Sequence, residues 1–354
     1  MSETILPKLP KLPKNIIQKI SKVDPEEILH EELTEKFGNR FLSYRKNYNS
    51  VINDFEHNLF FDYPLTVNLE LVNRCNLECV MCNQDFRNDA EQSRLNEKTL
   101  DKIFADFKKN KLSALILTIS EPLLFKNIEN VLKRAKDAEI MDVFLITNGA
   151  LLDEKKSKMI LESCITRLFI SLDAATQKTY DNVRVPVSKR LLKENRLAFV
   201  ENNIKNFVKM RNTLSRKLPL VRVSFVGLKE NLHEVENFKK KWGNIVDSVE
   251  IQMERPPELF AKVKEGDFGK FEKKNIKKYE CIKPWEDIAI YADGTIAPCC
   301  AFIGRKAPIG NVKNNTIKEI WNGEKMKIIR DGLTNNDPIK VCQLCLENEK
   351  FNVQ

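Results

Sequence analysis

Three cysteines stand within eight residues, Cys75, Cys79 and Cys82 in the run CNLECVMC, and five more gather after position 280: Cys281, Cys299, Cys300, Cys342 and Cys345. Thiolates in such groups bind metal or carry redox chemistry. A closed zinc site asks for a fourth nitrogen or sulfur ligand, normally from paired C-x2-C or H-x3-H units. The three histidines, His30, His57 and His233, sit apart from the first group and have no ligand spacing. Its neighbours Asn73, Arg74, Asn76 and Glu78 are polar, so the loop does not read as core. On a four-iron cubane, three thiolates leave one iron without a protein ligand, open to a substrate or cofactor. Cys342-x2-Cys345, taken with Cys281 and Cys299, supplies four ligands, a set that by spacing alone permits zinc.

Composition bounds what can hold these thiols. At 354 residues, 42% of them hydrophobic, the chain has material for about two or three domains. The net charge of +9 comes from 59 basic and 50 acidic residues spread without long blocks of one sign, so no nucleic-acid surface is expected. No apolar run approaches the roughly 18 residues of a membrane span, and no hydrophobic signal core opens the sequence. The expected location is therefore the cytoplasm, where nine cysteines point to metal or redox chemistry instead of disulfides.

Three regions follow from the hydrophobic pattern. Residues 1–63 read as a Pro/Lys-rich arm, with Leu-Pro-Lys three times between Leu6 and Lys14, and a helical lead-in from Pro25 to about Asn58. Residues 64–256 alternate strands, expected at 65–71, 114–119, 143–147, 167–172, 221–226 and 248–253, with helices near 96–109, 127–138, 154–162, 189–214 and 232–242. Parallel strands need such crossovers, which predicts an α/β fold whose sheet curls into a partial (β/α)6 barrel; a full eight-unit barrel needs about 250 residues. Residues 257–354 read as a Lys-rich linker and a small cysteine-bound module, with a hairpin turn at Asp293-Gly294 and a short helix at 317–321.

C-x3-C-x2-C directly after the first strand of such a barrel resembles the radical S-adenosylmethionine (SAM) enzymes. The resemblance implies a [4Fe–4S] cluster on Cys75, Cys79 and Cys82, whose open iron is chelated by SAM. One-electron reduction then cleaves SAM to methionine and a 5′-deoxyadenosyl radical. Ser120-Glu121-Pro122 follows the second strand where the family carries Gly-Gly-Glu-Pro or Gly-Glu-Pro, so Glu121 is expected near the SAM amino group, with Ser120 in place of a glycine. Thr147-Asn148-Gly149 is similar to the Thr-Asn-Gly stretch that faces the cofactor, which puts Asn148 among the SAM contacts. Ser171-Leu172-Asp173-Ala174 resembles Ser-Ile-Asp-Gly and gives Ser171 the SAM carboxylate or ribose. Arg184 matches a recurrent arginine that pairs with that carboxylate.

The C-terminal module resembles the SPASM/twitch extension of the same family, through C-x12-G-x4-C from Cys281 to Cys299, the Cys342-x2-Cys345 pair, and the stretches at 309–311 and 319–321. It implies one auxiliary [4Fe–4S] cluster on Cys281, Cys299, Cys342 and Cys345, with zinc as the alternative. Cys164 reads as core, and Cys300 as packing, as the ligand in place of Cys299, or as a hydrogen-atom donor to a substrate radical. The implied activity is hydrogen abstraction from a sugar-like or aminocyclitol small molecule, oxidised or epimerised, in polysaccharide or natural-product synthesis. The implied partner is a reductant such as flavodoxin or ferredoxin. Two alternatives stand beside it: a peptide-modifying SPASM maturase, and a non-catalytic protein that binds SAM and iron–sulfur.

Overall fold

The computed structural model describes residues 16–19, 24–53, 60–82, 93–188, 195–254, 264–270 and 279–347. A short strand, β1 (Ile16–Lys19), precedes two helices, α1 (Pro25–Phe37) and α2 (Asn39–Asn53). Asp24 starts α1 by accepting from the Glu26 N–H, and Pro25 occupies the first turn, where a missing N–H costs little. Six strands then alternate with helices: β2 (Thr66–Leu69), α3 (Glu97–Asn110), β3 (Ala114–Leu117), α4 (Ile128–Asp137), β4 (Asp142–Thr147), α5 (Glu154–Glu162), β5 (Arg167–Ser171), α6 (Gln177–Val183), α7 (Arg196–Thr213), β6 (Leu220–Gly227), α8 (Val235–Trp242) and β7 (Ser248–Met253). Side chains of Asn96, Asp153 and Thr176 cap α3, α5 and α6. The C-terminal part adds α9 (Lys283–Glu286), β8 (Asp287–Ile290), β9 (Thr295–Ala297), β10 (Gly310–Asn311), α10 (Ile317–Trp321), α11 (Glu324–Thr334) and α12 (Lys340–Glu347).

β2 to β7 pair in parallel and in sequence order, the α/β partial (β/α)6 barrel expected from the sequence. The sheet stays open. β1 pairs antiparallel with β7 at one edge, while β8 lies parallel to β2 at the other and leads through β9 to β10. The C-terminal module thus continues the barrel sheet across the boundary drawn at residue 256.

Burial alternates along the strands with period two. Outward residues such as Val143, Leu145, Leu168, Ile170, Val221 and Phe225 are fully buried beneath the helices. Phe238 of α8 meets Phe225 edge to face at 5.0 Å between ring centroids, and burying such a side chain stabilises the fold by about 1.5–3 kcal/mol. Inward residues Phe144, Ile146, Phe169, Ser171, Arg222 and Ser224 keep part of their surface exposed, so the barrel interior is an open lumen.

The structure departs from the sequence expectations in a few elements. β1, α6, α9, β10, α11 and α12 were not expected; β1 is too short to show a pattern, and α12 buries only Val341 and Gln343. The helix expected at 189–214 is described from Arg196 onward. The Leu-Pro-Lys arm and most of the linker after residue 256 lie outside the described residues.

Candidate functional site

The first three cysteines sit on a loop that leaves the end of β2 and is laced to the segment after α6. Glu78 N–H donates to Val185 O at 2.6 Å, Val80 N–H to Val183 O at 3.1 Å, and Val187 N–H to Asn76 O at 3.2 Å. Cys75 Sγ accepts from Leu77 N–H at 3.4 Å and faces Asn148 Nδ2 at 3.8 Å. Cys79 Sγ accepts from Arg184 Nη1 at 3.4 Å. Cys82 follows a tight turn on Cys79 O and is exposed. Burial pushes the Cys75 thiol up to about 12 and raises that of Cys79.

Glu121 and Arg184 both have partners within the chain. The Glu121 carboxylate is enclosed and accepts from Leu123 N–H at 3.1 Å, Thr147 Oγ1 at 2.8 Å and Asn148 N–H at 2.8 Å. It therefore pins the end of β4 beneath the cysteine loop, and Asn148 carries that anchorage to Asn76 Oδ1, 2.7 Å from its Nδ2. Gly149 closes this turn at φ 74°, with Ile170 and Val200 3.0 Å from where a Cβ would stand. Arg184 is committed to Cys79 and to an ion pair with Asp173, which is 0% exposed. Asp173 itself sits at φ 60° and accepts from Val226 N–H at 2.7 Å, a left-handed backbone held by its partners. Ser171 ends β5 on the inward face, at the upper rim of the lumen.

The glycine-poor loop after β3 is bound to the C-terminal module. Ser120 Oγ donates to the buried Glu70 at 2.5 Å, and the other Glu70 oxygen accepts from Ala292 N–H at 3.0 Å. The strain of the missing glycines falls on Ile119, a β-branched residue at φ 80° whose side chain packs on Ala289, Tyr291 and Ala297.

The later cysteines form a second set. Burial, followed by Cys345, pushes the Cys281 thiol up to about 12; burial also raises Cys342, with Cys281 and Cys345 adding to it. Cys299 is raised well above its usual range by burial, then by Cys300, Cys281, Asp287 and Cys342. Gly304 leaves room for the Cys299 sulfur, which would stand 2.8 Å from an added Cβ. Cys300 is exposed on the wall of the lumen cavity, and Cys164 packs against the core with its Sγ 3.4 Å from Leu132 O. Among the described residues, no three His, Cys, Asp or Glu side chains meet at the spacing of one metal ion; a cubane spreads its thiolates over separate irons. Sulfurs that accept N–H bonds and a bare backbone against Cys299 both fit iron–sulfur groups.

Below Ser171 the lumen opens into a cavity of about 440 Å³, lined by Thr66, Asn68, Phe144, Phe169 and Arg222 from the strands, Tyr48 of α2, and Lys283, Asp287 and Cys300 of the C-terminal module. Sequence reasoning missed Glu70, Arg222 and Asp287. Polar residues at inward positions of otherwise apolar strands were the available signal for the first two.

Residues 69–241 match the family model described as the radical SAM superfamily, and residues 281–346 match that of the SPASM iron-sulfur cluster-binding domain. The chain belongs to the radical SAM superfamily, whose domain implies SAM and a [4Fe–4S] cluster, and carries a C-terminal SPASM domain, which implies auxiliary iron–sulfur. Among curated relatives, a probable GTP 3′,8-cyclase of Methanococcus maripaludis (strain C5 / ATCC BAA-1333) is 27% identical over 117 residues, 33% of this chain. The chain spans 39% of that relative's length. Streptococcus suis SuiB bound to S-adenosylmethionine aligns at TM-score 0.53 with 15% identity, over 79% of this chain and 70% of that one. Native anSMEcpe with bound AdoMet aligns at 0.55 with 13% identity, over 82% and 93%.

Proposed function

We propose that the chain cleaves SAM reductively and abstracts hydrogen from a sugar-like or aminocyclitol small molecule held in the lumen, leading to oxidation or epimerisation. One observation carries the reading: a cavity inside the barrel is walled by strands β2 to β8, the lead-in helix α2 and the auxiliary module, with Cys300 among its lining residues. Cys75, Cys79 and Cys82 would hold the open cluster, which would supply the electron for reductive cleavage of SAM to methionine and a 5′-deoxyadenosyl radical. Glu121 and Asn148 position the loop, Arg184 donates to the Cys79 sulfur, and Ser171 offers a hydroxyl at the lumen rim. Cys281, Cys299, Cys342 and Cys345 would hold one auxiliary [4Fe–4S] cluster, and Cys300, on the cavity wall, is the candidate hydrogen donor in an epimerisation. A relative named for a GTP cyclase supports nucleotide-linked sugars within the substrate class.

A cavity of this volume partly walled by α2 supports a small molecule over a peptide, and the presence of all three loop thiols supports catalysis over mere binding. Among the described residues no helix is long and apolar enough to cross a membrane, which is compatible with a cytoplasmic reductant such as flavodoxin or ferredoxin. The test is anaerobic reconstitution with SAM and dithionite. About eight irons per chain and 5′-deoxyadenosine formation are expected, and no 5′-deoxyadenosine from fully loaded protein would overturn the proposal.

A further inference from the structure

Four cations line the lower lumen, and they are not equally committed. Arg167 is held between Asp142, 3.2 Å away, and Glu26. Lys283 is clamped by Glu286 at 2.9 Å and Asp287 at 3.1 Å. Arg45, by contrast, makes no hydrogen bond or short ion pair among the described residues and stacks on the Tyr48 ring at 5.0 Å. Arg222 lies over Phe169 at 4.1 Å, with only a 3.5 Å approach to Glu250 and a 3.3 Å bond to Ser248 Oγ. Burial, against Glu250 and Glu26 and with the neighbouring Arg167 charge, leaves the Arg222 cation disfavoured on balance, a cost that a further anion would offset.

The same cavity lining includes an acceptor without a donor. Asp287 is 2% exposed, and while its Oδ2 accepts from Lys283, its Oδ1 is buried with no hydrogen-bond partner. A buried carboxylate oxygen left so carries a desolvation penalty that a ligand hydroxyl would remove.

We propose that this cavity binds a polyhydroxylated ligand carrying one anionic group, phosphate or carboxylate, with Arg45 and Arg222 on the anion and Asp287 Oδ1 accepting from a ligand hydroxyl. The inference rests on the lumen being the substrate site, and it narrows that substrate to an anionic polyol. Phe144 and Phe169 supply the apolar wall on which a sugar ring packs.

Calorimetric titration of the anaerobically reconstituted holoenzyme with SAM, without reductant, tests it using glucose 1-phosphate, glucuronate and myo-inositol. At least one anionic probe binds at about 1 mM or tighter, and myo-inositol binds about tenfold more weakly or not at all. Arg222→Gln and Arg45→Gln each weaken the anion about tenfold, with SAM affinity and iron content unchanged, and Asp287→Asn weakens all polyols that bind. Which anion binds separates phosphate from carboxylate. Binding of myo-inositol as tight as that of the anions, indifference to both arginine variants, or no binding of either anion overturns the proposal. Because the wild-type comparison of probes needs no variant, a misfolded variant leaves the test decisive. 5′-Deoxyadenosine formed without any polyol keeps a failure here distinct from failure of the radical reading.

Discussion

Arg184→Gln separates two consequences of one side chain. It removes the cation that donates to Cys79 Sγ at 3.4 Å, and it strips Asp173, at 0% exposure, of its ion-pair partner. A hydrogen bond to a charged group is worth about 1.5–3 kcal/mol, and the reduced cluster, with one more negative charge, loses more of it than the oxidised form. If the difference is half of the upper figure, about 1.5 kcal/mol, the one-electron potential falls by about 60 mV. The unpaired Asp173 costs about 3–5 kcal/mol of stability, so Asp173→Asn is combined with Arg184→Gln to restore folding without restoring the donor. The assay is a potentiometric titration followed by EPR, in a Cys342→Ala/Cys345→Ala background that leaves one cluster to read. A potential unchanged within about 20 mV, or a positive shift, would refute the reasoning. A SAM affinity reduced about 100-fold with the potential unchanged would restore Arg184 to the SAM carboxylate.

Three further outcomes follow from the loops and the packing. Ile119→Gly relieves a backbone strain of about 1–3 kcal/mol that Ile119→Ala retains, so the glycine variant melts higher than the alanine variant, the reverse of the usual order. Ser120→Ala leaves one oxygen of the buried Glu70 short of a donor, costing about 1–3 kcal/mol and lowering the melting temperature by a few degrees. For Glu234, burial alone would raise the carboxyl, but hydrogen bonds from Thr176, Thr179 and the Ala175 and Thr176 amides outweigh it and hold it below its usual range. A folded-state value below the unfolded one, about 4.3, gives stability present above that pH and lost as pH falls through the folded value; Glu234→Gln flattens that acid-side loss in urea titrations of the cluster-free protein.

The barrel was legible because its signal is local: strands of four to eight residues separated by helices leave few other packings. The identities of Glu121 and Arg184 were legible too, but not the partners they find within the chain. Glu121 turns inward because Thr147 and Asn148, 26 and 27 residues later, converge on it, and only strand order brings them there. Arg184 turns to Cys79 because Asp173, bent into the left-handed region, holds its other nitrogen. Asp287 gave no signal at all. Its meaning depends on β8 lying beside β2, a pairing between parts of the chain that no short-range pattern records.

That pairing also has a consequence in time. Asn68 Nδ2 reaches Ile288 O at 3.2 Å across 220 residues of sequence. At about 5–20 residues per second of synthesis, the ribosome releases the cysteine loop about 10–45 s before the strand that covers its neighbour. Throughout that interval β2 presents a bare edge of amides and carbonyls, the feature that invites pairing between nascent chains. The three-thiol loop is thus born on the barrel's most exposed margin, and the tail that brings the second set of thiols is also what ends that exposure.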